Sequence, residues 1–539
     1  MSLNRTGRYL NPQADGFAEI LRGPCYVDKT GLISYMNSVM ETPQKLVCST
    51  RPRRFGKSFA VQMMVAFYSR GADARELFKG LEVEQKAKNN ESDGRLFERY
   101  FNRCDVLCWD MARFASRHDA NFNPVRELQR ELASELCEAF GMDERNVYLP
   151  DLLLDISLKT GRKFFILIDE WDALFREYPM DVRLQEEYIA LLRDLFKGIQ
   201  ISRYLIGAYM TGILPIKKYG TQSALTDFNE FTMLEPDWLA PFVGFTEREV
   251  KDLCRHWRLD FDEARRWYDG YFFDRIGHIY CPNSMIKAVL SQRFRSYWTQ
   301  TETYESLQTF IDMNFEGLRD EIVSMLGGHS SKVDAQSFRN DLSSVKSRDD
   351  VFTLLVHLGY LAYESSKESV YIPNEEIRAE FVRAIRNGSR TELVKAIQIS
   401  DRILQAVLRM DSDAVAELLG EIHIARTTPD FYNNEQALRS VVAMAFLTAE
   451  DDYRRFEEIA GGRGYADMLF LPKKRAEYPA ILIELKWDKP VEAALNQVKE
   501  KRYADAAKRL GYKGELLVVG VAYSTKTAKH VCRIEKTSV

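Results

Sequence analysis

The sequence lacks the features that mark a membrane protein, a disulfide scaffold or a uniformly basic nucleic-acid binder. No apolar run approaches the roughly 20 residues that a bilayer span needs. The longest, FFILI at 164–168 and LLVVGVAY at 516–523, have the length of buried strands. The opening residues MSLNRTGRYLNPQ hold no apolar signal core. Eight cysteines are scattered along 539 residues, and Cys104 and Cys108 form the only close pair, with no second pair or nearby histidine to complete a zinc set. Scattered, unpaired cysteines fit a reducing cytosol, so a cytoplasmic protein without membrane contact is expected. Positive charge is not in excess: 75 Lys and Arg stand against 79 Asp and Glu, a net charge of -4. That excludes a global basic signal and leaves room for a local basic face. Internal repeats and low-complexity segments are missing too.

What is present is too long for a single core, and two to four domains are expected. In the first part, apolar segments alternate with helical ones. KLVCST (45–50), DVLCWDMARF (105–114), GRKFFILIDE (161–170) and YLIGAYMTGIL (204–214) read as strands. SFAVQMMVAFYSR after residue 57, NPVRELQRELASELCEAFG (123–141) and a segment near 184–198 read as helices. Such alternation predicts a parallel sheet covered on both faces.

The stretch STRPRRFGKS (49–58) lies between the first strand and its helix. Gly56-Lys57-Ser58 ends it as a phosphate-binding loop ends, but the first glycine of G-x-x-x-x-G-K-[ST] is replaced by Arg51. Backbone N–H groups and a helix N-terminus make such a loop a phosphate cradle. In this pattern Lys57 reaches the β and γ phosphates of ATP, Ser58 joins Mg²⁺, and Gly56 permits close backbone approach. Pro52 removes one N–H donor. Arg51, Arg53 and Arg54 add charge that suits phosphate, and Phe55 completes the candidate loop. FFILIDE puts Asp169 and Glu170 at the end of a strand apolar enough to be central, where an aspartate holds Mg²⁺ and a glutamate orients water. Thr211-Gly212 ends a further strand, in the place of a γ-phosphate sensor. Asp172 is expected to cap the helix that follows it.

YVDKT (26–30), RPRRFGKS (51–58), LIDEWD (167–172), TG (211–212), FVGFTEREV (242–250), YDGY (268–271) and YCPNS (280–284) together resemble the AAA-ATPase-like proteins fused to a PD-(D/E)XK nuclease-like domain. In that family the first P-loop glycine is also an arginine. The resemblance implies ATP and Mg²⁺ as cofactors and a nuclease-like C-terminal domain. YDGY and YCPNS match the family without an obvious reaction and read as structural.

The last ~110 residues support the second half of the resemblance. A helix at 433–449, strands near 455–460, 465–471 and 479–486, a helix at 491–508 and a final strand at 515–523 give the order αβββαβ. Residues two apart on a strand share a face, so Glu484 and Lys486 project together while Leu485 enters the core, and Asp467 joins them if the strands pair. Two carboxylates and a lysine on one face can hold Mg²⁺ with its waters and stabilise a reacting phosphodiester. The resemblance adds Glu435 as a further acid and Gln497, with Tyr503 six residues on, as site-lining residues. Ala466 stands where the family's proline would precede the aspartate.

The fold expected is α/β: a P-loop AAA-ATPase-like domain (1–235), a helical lid (236–300), a winged-helix-like module (301–390), and a helical linker with a PD-(D/E)XK restriction-endonuclease-like domain (391–539). The winged-helix reading rests on DDVFTLLVHLGYLAY (349–363) followed by a hairpin-like SSKESVYIP. Its acids (Glu364, Glu368, Glu375, Glu376, Glu380) favour a helical relay over DNA contact. The expected activity is ATP-regulated, Mg²⁺-dependent cleavage of nucleic acid, DNA before RNA, and the resemblance implies a setting in defence against foreign DNA or in mobile-element maintenance. The alternative is an ATP-dependent switch whose nuclease fold serves for docking. No arginine finger is identifiable, and a homo-oligomer is among the expectations.

Overall fold

The computed structural model describes residues 6–117, 122–143, 148–216, 225–298, 317–335, 338, 345, 347–387, 391–426, 438–439, 441–442, 445–446, 449, 452–461, 464–473, 478–501 and 503–539. The chain forms two compact units. The first comprises residues 1–301 and 331–379, the second 302–330 and 380–539.

Five parallel strands build the main sheet of the first unit: β1 (Leu46–Thr50), β2 (Asp105–Asp110), β3 (Phe164–Asp169), β4 (Leu205–Gly212) and β5 (Asn229–Phe231), in the order β2-β3-β4-β1-β5. Alternate residues divide between two cores. Leu46, Cys48, Phe164, Ile166 and Ile168 enter one, with the helices Pro124–Phe140, Leu149–Thr160 and Val182–Phe196. Val47, Phe165 and Leu167 enter the other, with the helices Gly31–Val39, Lys57–Tyr68 and Glu91–Tyr100. Burial on both faces is why these strands read as unbroken apolar runs. The second strand is shorter than its sequence promised. It stops at Asp110, whose side chain accepts the Ala112 N–H and opens the short helix Met111–Ala115.

The segment expected to be a helical lid contains a small antiparallel sheet as well. Strands β6 (Phe245–Thr246), β7 (Tyr271–Phe273) and β8 (Gly277–Tyr280) pair in the order β6-β8-β7 beside the helices Glu247–Trp257, Phe261–Tyr268 and Pro282–Ser291. Thr246 and Glu249 form a reciprocal capping box at the first of these. Beyond β9 (Ser331–Lys332), the helix Arg348–Leu358 leads into the hairpin β10 (Ala362–Glu364) and β11 (Ser369–Tyr371), with β9 as third strand.

The second unit carries a five-stranded sheet in sequence order: β12 (Tyr453–Gly461), β13 (Gly464–Pro472), β14 (Ala480–Trp487), β15 (Glu515–Ser524) and β16 (Lys529–Ser538). Neighbours are antiparallel except β14 and β15, which run parallel around the crossover helix Val491–Lys501. Of the expected helix 433–449, the described residues 438–439, 441–442 and 445 are helical. Two expectations are corrected. β16 follows the strand expected to be last and makes β15 an interior strand. The expected single helix at 491–508 is two pieces, Val491–Lys501 and Ala504–Arg509.

Candidate functional site: a phosphate loop and a carboxylate–lysine cluster

The loop that leaves β1 is shaped by two left-handed residues, Arg54 at φ 68° and Gly56 at φ 92°. Gly56 is the N-cap of the helix Lys57–Tyr68 and supplies no side-chain cap, so the first amides of that helix are open to an anion. Lys57 is buried. Its ammonium donates to the Pro52 carbonyl (3.0 Å) and lies 3.9 Å from Glu170 Oε1. Burial pulls its pKa below the ordinary lysine value, and the charges of Glu170, Asp172 and Asp169 oppose that shift. Asp169 at the end of β3 is hydrogen-bonded to Ser58 and pushed up to about 6, chiefly by burial, with Glu170 and Asp110 adding to the shift. Asp110 is paired in register with Asp169. The exposed Ser58 hydroxyl and a carboxylate thus meet beside an open helix N-terminus and a buried ammonium, a donor set that fits a metal-bound triphosphate.

Several expected nucleotide contacts have other partners. The Arg51 guanidinium is fully buried, and its Nη1 donates to the carbonyls of Thr50 (2.8 Å), Phe231 (3.1 Å) and Thr232 (2.9 Å). It ties the end of β1 to the end of β5. Its Nε and Nη2 have no partner among the described residues, and burial lowers its pKa to about 10. The Thr211 hydroxyl donates to the Ser49 carbonyl (2.9 Å) in a fully buried position. The Phe55 ring is buried edge-on against Tyr271, with centroids 5.6 Å apart, so it anchors the loop from behind. Arg53 is half-buried and Arg54 exposed.

Asp172 stands at the N-cap of the helix Ala173–Glu177 but makes no capping bond there. Its carboxylate accepts the N–H groups of Ile213 (3.2 Å) and Leu214 (2.9 Å), just past β4, and the Arg176 Nε (3.1 Å). The expected helix cap is therefore a tie between β3 and the exit of β4. Gly212 makes room for it, since a Cβ there would collide with Asp172 Oδ1 and the Trp171 ring. Arg176 also pairs with Glu170 through Nη2. Sequence reasoning passed over Arg176, although its i,i+4 spacing from Asp172 was a usable signal.

The remaining motifs make structural ties, and one of them braces the loop. Tyr271 of YDGY backs Phe55 and donates its hydroxyl to the Gly359 carbonyl (2.5 Å). Gly270 has φ 116°, and a Cβ there would collide with the Pro373 carbonyl. In YCPNS, Ser284 donates to Glu376 Oε1 (3.0 Å), which also accepts the Tyr297 N–H (2.7 Å). In YVDKT, Lys29 holds both Glu249 oxygens and the Pro241 carbonyl, at 2.6–2.7 Å.

In the second unit, Asp467, Glu484 and Lys486 lie together as the strand pattern predicted. Asp467 Oδ2 accepts the main-chain N–H of Leu485 (2.8 Å), and Oδ1 pairs with Arg439 Nη2 (2.5 Å). Lys486 Nζ donates to Glu484 Oε1 (3.0 Å) and to the Leu485 carbonyl (2.8 Å). All three side chains are buried, and Glu484 Oε2 has no partner among the described residues. Burial, reinforced by the charge of Asp467 and opposed by Lys486, pushes the Glu484 carboxyl up to about 7. An orphaned carboxylate oxygen in this setting fits a divalent cation. Gln497 donates to the Tyr503 hydroxyl (3.1 Å). Glu435 lies outside the described residues. Among those described, no three His, Cys, Asp or Glu side chains converge as a metal site. The eight cysteines form no disulfide, and no described helix is long and apolar enough to cross a membrane.

Residues 14–221, which hold the loop and strands β1 to β4, match the AAA-ATPase_like family model, described as Predicted AAA-ATPase. The N-terminal part is thus an AAA-ATPase-like domain. No curated protein matches the chain. Among solved structures, that titled "Structure of C. elegans PCH-2" is 11% identical over 53% of this chain and 63% of its own, with a TM-score of 0.23.

Proposed function

We propose that the first unit binds and hydrolyses ATP with Mg²⁺, and that the C-terminal sheet is a PD-(D/E)XK-like, Mg²⁺-dependent nuclease site governed by that nucleotide. Support for the ATP half comes from the match over 14–221 together with the meeting of Lys57, Ser58 and Asp169 at an uncapped helix N-terminus. Lys57 would take the β and γ phosphates, Ser58 and Asp169 the metal, and Glu170 the attacking water. Main-chain amides of 53–57 would do the rest of the cradling, with the side chains of Arg53 and Arg54 at the rim.

The single observation that carries the nuclease half is the convergence of Asp467, Glu484 and Lys486, with Glu484 Oε2 left without a partner among the described residues. The sequential sheet with one parallel pair around a crossover helix supports this reading, with β16 added beyond the expected αβββαβ order. Asp467 and Glu484, joined by Glu435, would hold Mg²⁺. A bound Mg²⁺ supplies charge to polarise a phosphate and acidify a water. Lys486 would hold that water or the developing negative charge, and Gln497 would orient the substrate. Nucleic acid, DNA first, is the partner this chemistry takes, and the resemblance implies a setting in defence against foreign DNA or in mobile-element maintenance.

The test uses the full chain with Mg²⁺ and ATP. Lys57→Ala should abolish ATP binding. Asp467→Ala should abolish cleavage of labelled DNA while ATP binding persists. Wild-type protein that binds ATP but cuts no form of DNA or RNA overturns the nuclease half and leaves an ATP-dependent switch. The burial of the Asp467 cluster is the observation favouring that second reading.

A further inference from the structure

Glu170, the residue assigned to the attacking water, is restrained by a cation. Its carboxylate is paired with Arg176 through Nη2, and its other oxygen lies 3.9 Å from Lys57. Its backbone sits at φ 47°, a left-handed conformation uncommon for a residue with a Cβ and held only where neighbours fix it. The Glu170 N–H donates to Asp169 Oδ1 (3.0 Å) and its carbonyl accepts the Ala173 N–H (2.9 Å), which hold that backbone, while Arg176 holds the side chain. The planar fork of Arg176 reaches Glu170 with one nitrogen and Asp172 with another (Nε, 3.1 Å). Asp172 is fully buried and also holds the N–H groups of Ile213 and Leu214, where the chain leaves β4. One continuous set of charge-assisted bonds therefore runs from Glu170 through Arg176 and Asp172 to the exit of β4.

We propose that Arg176 is a positioning residue that parks Glu170 in a resting state, so that bound ATP is kept until a shift at the β4 exit loosens Asp172 and Arg176 and releases the glutamate. The inference rests on the ATP reading of the first unit. In the reaction, water adds to the γ-phosphorus, the bond to the β–γ bridging oxygen breaks with its electron pair staying on ADP, and inorganic phosphate leaves, the water's proton passing to that phosphate or to solvent. Glu170 has to face that water to orient it, and the bond to Arg176 occupies Oε2 and restrains the carboxylate from turning to it. The arrangement separates binding from turnover: Lys57, Ser58 and the loop amides stand ready for phosphate while the water-orienting group is withdrawn.

The experiment compares wild type, Arg176→Gln, Arg176→Lys and Glu170→Gln in the full chain. ATP affinity is measured by calorimetry with Mg²⁺, and phosphate release in steady state. Arg176→Gln should raise kcat about tenfold or more, a barrier lowered by about 1.4 kcal/mol, with Kd for ATP changed less than about twofold. Arg176→Lys keeps a cation beside Asp172 but gives up the two-carboxylate fork, so it should also turn over faster than wild type. It decides the matter should the Gln variant fail to fold. Glu170→Gln should bind ATP and release no phosphate. If the folded Arg176 variants turn over at or below the wild-type rate with unchanged affinity, Arg176 holds Glu170 productively and the parking proposal is wrong. If wild type binds no ATP, the ATP reading itself fails and this inference fails with it.

Discussion

Replacing Glu484 by glutamine tests whether that carboxylate is desolvated as the structure shows. Glu484 is buried beside Asp467 and Lys486, and its carboxyl is pushed from 4.5 to about 7. The sign follows from linkage. Below the unfolded pKa the group is protonated in both states and costs nothing. As the pH climbs from about 4.5 to 7 the unfolded chain gives up the proton and the folded chain keeps it, so stability falls, and above 7 the loss is complete. Each pKa unit is worth a little over about 1 kcal/mol, so the full loss is on the order of 3 kcal/mol, most of it between pH 5 and pH 8. Glu484→Gln removes that titration and should hold its stability across the interval. The assay is hydrogen exchange of the slowest amides of β14 and β15, corrected for intrinsic rate, in both proteins without metal. Their protection reports the free energy of opening the sheet. Wild type should lose roughly 2–3 kcal/mol relative to the variant between pH 5 and pH 8. Parallel profiles would refute the reasoning, because they would mean that Glu484 is already ionised and solvated at pH 5.

Two further predictions concern the brace behind the phosphate loop. Phe55→Ala removes a buried ring from against Tyr271. It should cost about 3–5 kcal/mol of stability and weaken ATP binding without touching a phosphate contact, as thermal melts with and without ATP would show. Gly270→Ala forces a Cβ onto the Pro373 carbonyl at a positive φ. It should destabilise the first unit by more than about 1 kcal/mol, read as a lowered melting temperature.

The phosphate loop and the acids after β3 were legible because each is a local pattern with its own strand and helix. The same holds for Glu484 and Lys486, where the period of a strand fixes which side chains share a face. Partners that meet only through strand order were not legible. Asp172 looked like a helix cap because its chain neighbours are helical, yet it bonds to residues 213 and 214. Arg51 looked like a phosphate ligand because the loop motif contains it, yet it bonds to carbonyls near residue 231. β16 was overlooked because only alternate residues, such as His530 and Cys532, are buried. Its charged outward positions suit an edge that must not pair further, and no apolar run announces it. Gln497 and Tyr503 are not on one helical face at a spacing of six. They meet because the chain tightens after the helix, with the Tyr503 N–H donating to the Val498 carbonyl five residues back (3.1 Å).

The first unit takes chain from both sides of an insertion, since residues 331–379 return to it after 302–330 have joined the second. The bracing of the nucleotide loop depends on that late return: Tyr271 bonds to Gly359, and Gly270 packs on Pro373. During synthesis the loop at 51–58 emerges some three hundred residues before its buttress is complete. A stop codon placed after residue 301 would therefore yield a protein holding every phosphate-binding side chain and lacking part of the wall behind them. Neither unit can be excised with a single cut.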